Sequence, residues 1–160
     1  MSNLELNPLL AKRITPLQLG LSDTSESLYW TEDMNNRGNA SLGNDYGEKV
    51  VVTTLDDFIS SESKSITKLD FIKIDVEGME LDVIKGGMKI IERFLPIIYY
   101  ETLAPFREQR GFDVFEEIKN LLSPLGYTLF FMDSSGDIKQ LADIKMSPEN
   151  TLAIPGKLCQ

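Results

Sequence analysis

The chain has 160 residues, 42% of them hydrophobic and 26% charged, with a formal net charge of −9. This suits one ordinary globular domain with its own core, and it argues against a nucleic-acid or anionic-membrane surface, which needs clustered Lys and Arg. There is no histidine and the lone cysteine is Cys159, so histidine-based nucleophile schemes and an internal disulfide framework are excluded and a reducing cytoplasm is the expected compartment.

The N-terminal "MSNLELNPLL" lacks the basic region and apolar stretch of a secretory signal, and no apolar run in the chain approaches the roughly 18 residues of a membrane span. "RITPLQLGLSD" reads as a short strand that ends in polar turn residues. "SESLYW" reads as a second strand, running into "TEDMNNRGNASLGNDYG", whose Asn, Gly, Asp and Ser content predicts a loop or hairpin tip. "KVVVTTLDDFISSE" gives a β-branched strand over 50–53 and a short helix, with Thr54 and Asp57 spaced as a capping box. Residues 69–74 are apolar on both faces apart from Lys73, as expected of a strand inside a parallel sheet. Met79, Val83 and Ile84 share one helical face, and Gly86-Gly87 is a stop.

"GMKIIERF" predicts another helix and "LPIIYYE" another buried strand. In "FDVFEEIKNLLSPLGY", Phe112, Phe115, Ile118, Leu121 and Leu122 recur at helical intervals. "TLFFMD", a turn at "SSGD" and "TLAIP" complete the chain. Strands alternating with helices predict a single α/β domain over 1–160, with a mostly parallel sheet, an antiparallel C-terminal edge and a hairpin or loop insertion over 24–49.

The segment "FIKIDVEGMELDVIKGG" turns from apolar to acidic where its strand ends. In an open α/β sheet, ligands sit outside the carboxyl ends of the strands. Asp75 and Glu77 fall in that strand-to-helix loop, and Gly78 permits a sharp turn there. A second reading makes Asp75 the helix cap, with Glu77, Glu80 and Asp82 favourably placed in the first turn.

"VVVTTLDDFI", "LDFIKIDVEGMELDVIKGG" and "PIIYYE" together resemble the FkbM-type S-adenosylmethionine-dependent methyltransferases. "FIKIDVEGMEL" is the most specific part. "ITPLQLGLSD", "GNASLG" and "NTLAIP" are similar to the family's preceding strand, loop and final strand. The resemblance implies a class I, Rossmann-like domain with a seven-stranded sheet and helices on both sides. It implies O-methylation of a hydroxyl on a sugar or another small metabolite. The family grips its cofactor with a Gly-rich turn after its first strand and an acidic residue after its second. Neither motif is found here, so the domain is expected to lack its first two strands, and each buried cofactor hydroxyl left unpaired would cost about 1–3 kcal/mol. Strand 69–74 is then expected to have an open edge that recruits a complementary chain or a second copy.

Within that resemblance, Asp75 and Glu77 are the candidate catalytic carboxylates. A hydroxyl nucleophile needs a proton acceptor, and two neighbouring carboxylates raise each other's pKa. Ser22, Asp23 and Asp75 are candidates for cofactor binding, with a simple Asx turn the other reading of Asp23. Asn39, Ser41 and Glu101 are candidates for the acceptor side, Asn44 joining them in a lid; ordinary polar loops are the alternative. Trp30 is given no role. No metal is assigned. Two other functions stay open: a non-catalytic partner subunit that binds a chain through its sheet edge, and a carboxylate site for magnesium or manganese at Asp75, Glu77 and Glu101.

Overall fold

The computed structural model describes residues 3–33, 36–43, 47–61, 66–102, 111–133, 135–141 and 148–158. Two short helices, α1 (Asn3–Leu6) and α2 (Pro8–Ala11), come first. The next strands are β1 (Gly20–Leu21), β2 (Glu26–Asp33), β3 (Asn36–Gly43) and β4 (Glu48–Thr53), which form a sheet in the order β1-β4-β2-β3. Its only parallel pair among the described residues is β1 with β4. The predicted first strand shrinks to two residues, since only Gly20 and Leu21 meet a partner strand. The polar stretch after Trp30, expected as a loop or hairpin tip, continues the strands of a hairpin: β2 and β3 pair antiparallel, with Thr31 opposite Ser41.

Helix α3 (Leu55–Ser61) follows β4, and Thr54 caps it, its hydroxyl accepting from Asp57 N at 2.9 Å. The reciprocal half of the capping box is not made. Asp57 instead accepts from Ser25 Oγ at 3.0 Å, tying the helix to the start of β2. Beyond it come β5 (Phe71–Ile74), α4 (Glu80–Gly86), α5 (Met88–Phe94) and β6 (Ile97–Glu101). Helix α6 (Val114–Leu122) is capped by Asp113, whose Oδ1 accepts from Phe115 N at 3.0 Å. Strands β7 (Tyr127–Met132), β8 (Ile138–Gln140) and β9 (Asn150–Pro155) close the fold.

The second sheet has the order β5-β6-β9-β7-β8. Among the described residues only β5 and β6 pair in parallel, so the expected mostly parallel sheet gives way to a mixed one. The reason is connectivity. Parallel neighbours need a crossover, here supplied by α4 and α5, whereas β9 returns between β6 and β7 and pairs antiparallel with both.

Burial alternates along the strands: Ile98 and Tyr100 of β6, Thr151 and Ala153 of β9, and Tyr127 and Leu129 of β7 face the core. Helices α4, α5 and α6 supply its other side through Leu81, Val83, Ile84, Ile91, Val114, Phe115, Ile118 and Leu122. The described helices therefore cover one face of this sheet, where both were expected covered. Strand β5 lies at the edge, with Phe71 51% exposed.

The two sheets meet at the α4–α5 junction. A Cβ on Gly86 would lie 2.0 Å from Ser22 O, and one on Gly87 3.0 Å from Leu55 Cδ2. Asp56 reaches across from α3, its carboxylate accepting from Lys89 N at 3.2 Å and Ile90 N at 3.0 Å. It thereby supplies the cap that α5 lacks locally. Among the described residues no helix is long and apolar enough to cross a membrane.

In an unconstrained helix Gly86→Ala would stabilise by about 1 kcal/mol; here the clash with Ser22 backbone should reverse the sign. A loss of about 1–3 kcal/mol is expected in urea denaturation, and an unchanged or raised midpoint would show that the junction is not tightly packed.

Candidate active site

The parallel register places Ile74 beside Tyr100, so the next residues along, Asp75 and Glu101, leave the carboxyl ends of β5 and β6 as neighbours. A strand's period of two puts Lys73 on the same face as Asp75, and its Nζ lies 2.5 Å from Asp75 Oδ2. That hydrogen bond is the main influence holding Asp75 below the usual aspartate range. Asp75 also shares a hydrogen bond with Glu101, which burial and the neighbouring Asp75 charge push above the usual glutamate range. Two carboxyls can hydrogen-bond only if one carries a proton, and the opposite directions of their shifts make Glu101 the first of the two to take one as pH falls.

The loop after Asp75 is a tight turn. Glu77 and Gly78 have φ of 51° and 98°, and Met79 N donates to Val76 O at 3.4 Å. Two central residues with positive φ are the signature of a mirror-image turn, where Gly78 is at ease and Glu77 carries a strain of about 1–3 kcal/mol. Glu77 Oε2 is buried without a hydrogen-bond partner among the described residues.

Asp75 does not cap α4. The N-cap is Met79, which makes no side-chain cap bond. Glu80 does the local work instead: only 2% exposed, its Oε1 accepts from Val76 N at 3.3 Å and Gly78 N at 3.2 Å. Burial raises its pKa more than those bonds lower it. Asp82 is buried as well, and both acids lie in the first turn of α4 as expected. The expected mutual pKa elevation of Asp75 and Glu77 is not found for Asp75, because the hydrogen bond from Lys73 outweighs the burial that would raise it.

Ser22 and Asp23 follow β1. Ser22 N donates to Thr53 O at 3.0 Å, and its hydroxyl points to Asp23 Oδ1 at 3.4 Å. Their backbone packs on Gly86 at the far end of α4, about 10 Å of helix away from the Asp75 loop at its beginning. The expected cofactor contacts Ser22, Asp23 and Asp75 are thus split between opposite ends of one helix. Asn39 and Ser41 lie on β3, with their side chains outside the described residues, as are the side chain of Trp30 and all of Asn44.

Between β1 and β5 lies a cavity of about 470 Å³, lined by Leu19, Leu21, Leu55, Ile59, Val83 and Ile91 together with β5 itself. Among the described residues Lys73 is its one charged lining residue. S-adenosylmethionine, the cofactor implied by the resemblance, carries a ribose diol and a charged amino-acid moiety and requires acceptors for both. This lining offers apolar side chains and an ammonium already paired with Asp75. The cofactor does not fit the cavity. Among the described residues no group of three or more His, Cys, Asp or Glu is arranged to hold a metal ion.

Lys73 and Glu80 are the two site residues not singled out from sequence. Lys73 had a readable signal, a charge interrupting an apolar strand two residues before an acid. Glu80 had none, because its folding back onto the turn depends on the strained Glu77–Gly78 backbone.

A family model described as "Methyltransferase FkbM domain" matches residues 3–129. A comparison with curated proteins gave no match. Among solved structures, the fold is similar to that of a methyltransferase FkbM from Methylobacillus flagellatus KT, with a TM-score of 0.50 and 20% sequence identity. That match covers 90% of this chain and 29% of the other, so the chain spans under a third of the solved protein's length.

In a carboxyl-carbon NMR titration, Glu101 is expected to titrate above the ordinary glutamate value of about 4.3 and Asp75 below about 3.9. Asp75 then stabilises the fold above its unfolded pKa and loses that contribution as pH falls through its lowered folded value. Glu101 contributes below its unfolded pKa and loses its share as pH rises through its raised value. Asp75→Asn should bring the Glu101 midpoint down, and a midpoint that stays put would show that the two carboxyls do not share a proton.

Proposed function

The chain belongs to the FkbM methyltransferase domain family, and from that premise we propose that it is a cytoplasmic S-adenosylmethionine-dependent methyltransferase acting on a hydroxyl of a sugar or another small metabolite. The observation that carries the reading is the meeting of Asp75, Glu77 and Glu101 at the carboxyl ends of β5 and β6, where the strand ladder stops. A hydroxyl becomes a competent nucleophile only as it loses its proton, and a carboxylate whose proton affinity is raised above the ordinary glutamate range is better suited to take it. Glu101 is assigned that role. Lys73 favours the ionised form of Asp75, and burial together with the Asp75 charge raises Glu101.

Glu77 contributes a buried oxygen with unused accepting capacity, matching an acceptor's second hydroxyl. Asn39 and Ser41 are assigned to the acceptor side by family resemblance. Of the three residues expected to touch the cofactor, Asp75 alone belongs to this group.

The test is transfer of a radiolabelled methyl group from S-adenosylmethionine to a panel of sugars. The protein is used as isolated from its source with whatever polypeptides accompany it. Glu101→Gln is expected to lower transfer about 10²–10⁴-fold, with the pH profile losing its lower limb. No transfer to any hydroxyl acceptor by the unaltered protein would overturn the reading.

A further inference from the structure

We propose that Asn150, its amide turned by Tyr99, is a binding residue of the acceptor side, donating a hydrogen bond to a neutral oxygen of the acceptor beside the hydroxyl that Glu101 deprotonates. The assignment rests on the methyl-transfer reading for what is bound, and on the geometry of β6 and β9 for where.

Sheet pairing brings Asn150 to the site. Strand β9 runs antiparallel to β6 with Asn150 opposite Glu101, so the two side chains leave the same face of the sheet. Thr102 N donates to Glu149 O at 2.6 Å, which makes Thr102 and Glu149 a hydrogen-bonded pair. Such pairs alternate with non-hydrogen-bonded ones along an antiparallel ladder. Glu101 and Asn150 are therefore of the second kind, with Cα atoms only about 4.5 Å apart and side chains close together. Lys73, level with Tyr99 in the parallel register, lies on this face too. It is the face that the described helices leave uncovered. Asn150 falls beyond residues 3–129 of the family match.

The amide is held in one orientation. Tyr99 stands two residues before Glu101 on the same face, diagonal to Asn150, and its hydroxyl donates to Asn150 Oδ1 at 2.8 Å. This draws Oδ1 back toward the middle of the strands and turns Nδ2 toward their ends, where Glu101 leaves β6. An amide nitrogen donates and does not accept. On its other flank Glu101 shares its side-chain hydrogen bond with Asp75. The site is thus polarised: carboxylates accept on the β5 side and an amide donates on the β9 side. A hydroxyl, ether or carbonyl oxygen offers the lone pair that Nδ2 needs, whereas a methylene or an ammonium offers none. Tyr99 and Asn150 are both only half-buried, so a ligand on this face can reach them.

The test has two arms. In the first, the isotope-labelled 160-residue protein is titrated with the methyl glycosides of glucose, galactose and mannose, and the side-chain amide signals of Asn150 are followed by NMR. At least one glycoside is expected to move them saturably. In the second, methyl transfer is measured in the native isolate with the same glycosides and their monodeoxy analogues. Asn150→Ala should raise KM about 5- to 100-fold while kcat holds, in contrast to Glu101→Gln. One monodeoxy analogue should already be poor with the unaltered protein and lose nothing more in Asn150→Ala, because the two changes delete one bond. Tyr99→Phe should cause part of the KM effect and add nothing to Asn150→Ala. Asn150→Asp separates binding from a structural role: its carboxylate still accepts from Tyr99 but cannot donate, so it should be no better than alanine.

The proposal is overturned if no glycoside moves the Asn150 amide, if Asn150→Asp keeps the native KM, or if Asn150→Ala weakens every deoxy analogue equally. Saturable movement of that amide with no transfer to any hydroxyl would uphold Asn150 as a binding residue and sink the methyl-transfer reading instead.

Discussion

The architecture depends on the close approach of α4 to the backbone after β1. Gly86 leaves no room for a side chain, since a Cβ there would sit 2.0 Å from Ser22 O. That contact, with Gly87 against Leu55 and the Asp56 carboxylate over the first amides of α5, joins a four-stranded sheet to a five-stranded one. It also sets the distance between the two groups of polar residues that follow β1 and β5. Because Ser22 is held at the end of α4 and Asp75 precedes its beginning, the helix acts as a spacer. The cavity between the sheets is lined mainly by leucine, isoleucine and valine.

At the other end of that helix, electrostatics decides which carboxyl does what. Three acids within a few residues would ordinarily repel one another and all resist ionisation. Lys73 breaks the symmetry. Placed two residues before Asp75 on the same strand face, it fixes the charge on that carboxylate, and the cost of crowding passes to Glu101 on the neighbouring strand. Glu80 is withdrawn from the group by the amides of Val76 and Gly78, which it serves as an acceptor. Backbone strain at Glu77 and the buried Glu80 carboxylate are therefore parts of one local device that holds the acidic turn in place.

The five-stranded sheet is asymmetric in two respects. One face is packed by α4, α5 and α6, while residues on the other face, such as Ile97, Tyr99 and Leu152, stay only half-buried. One edge ends in the short, poorly charged β8, where the Lys139–Asp133 ion pair and an exposed surface discourage pairing. The other ends in β5, which is apolar and bounds a cavity. Two buried hydroxyls, Tyr100 and Thr151, face each other across β6 and β9 without a well-formed hydrogen bond. Among the described residues, they and Glu77 Oε2 are the buried side-chain oxygens without a hydrogen-bond partner.

Local rules were sufficient for much of this. Periodicity located α4, α5 and α6, the Thr54 and Gly86-Gly87 boundaries, and strands β4, β5, β6, β7 and β9, because capping, glycine stops and alternation are written within a few residues. The apolar-to-acidic switch after β5 likewise placed Asp75 at a strand end, and "FIKIDVEGMEL" carried the family. Pairing partners were not written locally. Whether β9 lies at the margin or between β6 and β7, whether Asp75 caps a helix or answers to Lys73 and Glu101, and whether Ser22 sits near Asp75 all depend on residues distant in the chain. Those choices are made by helix packing and sheet order, and no short window of sequence contains both halves of such a contact.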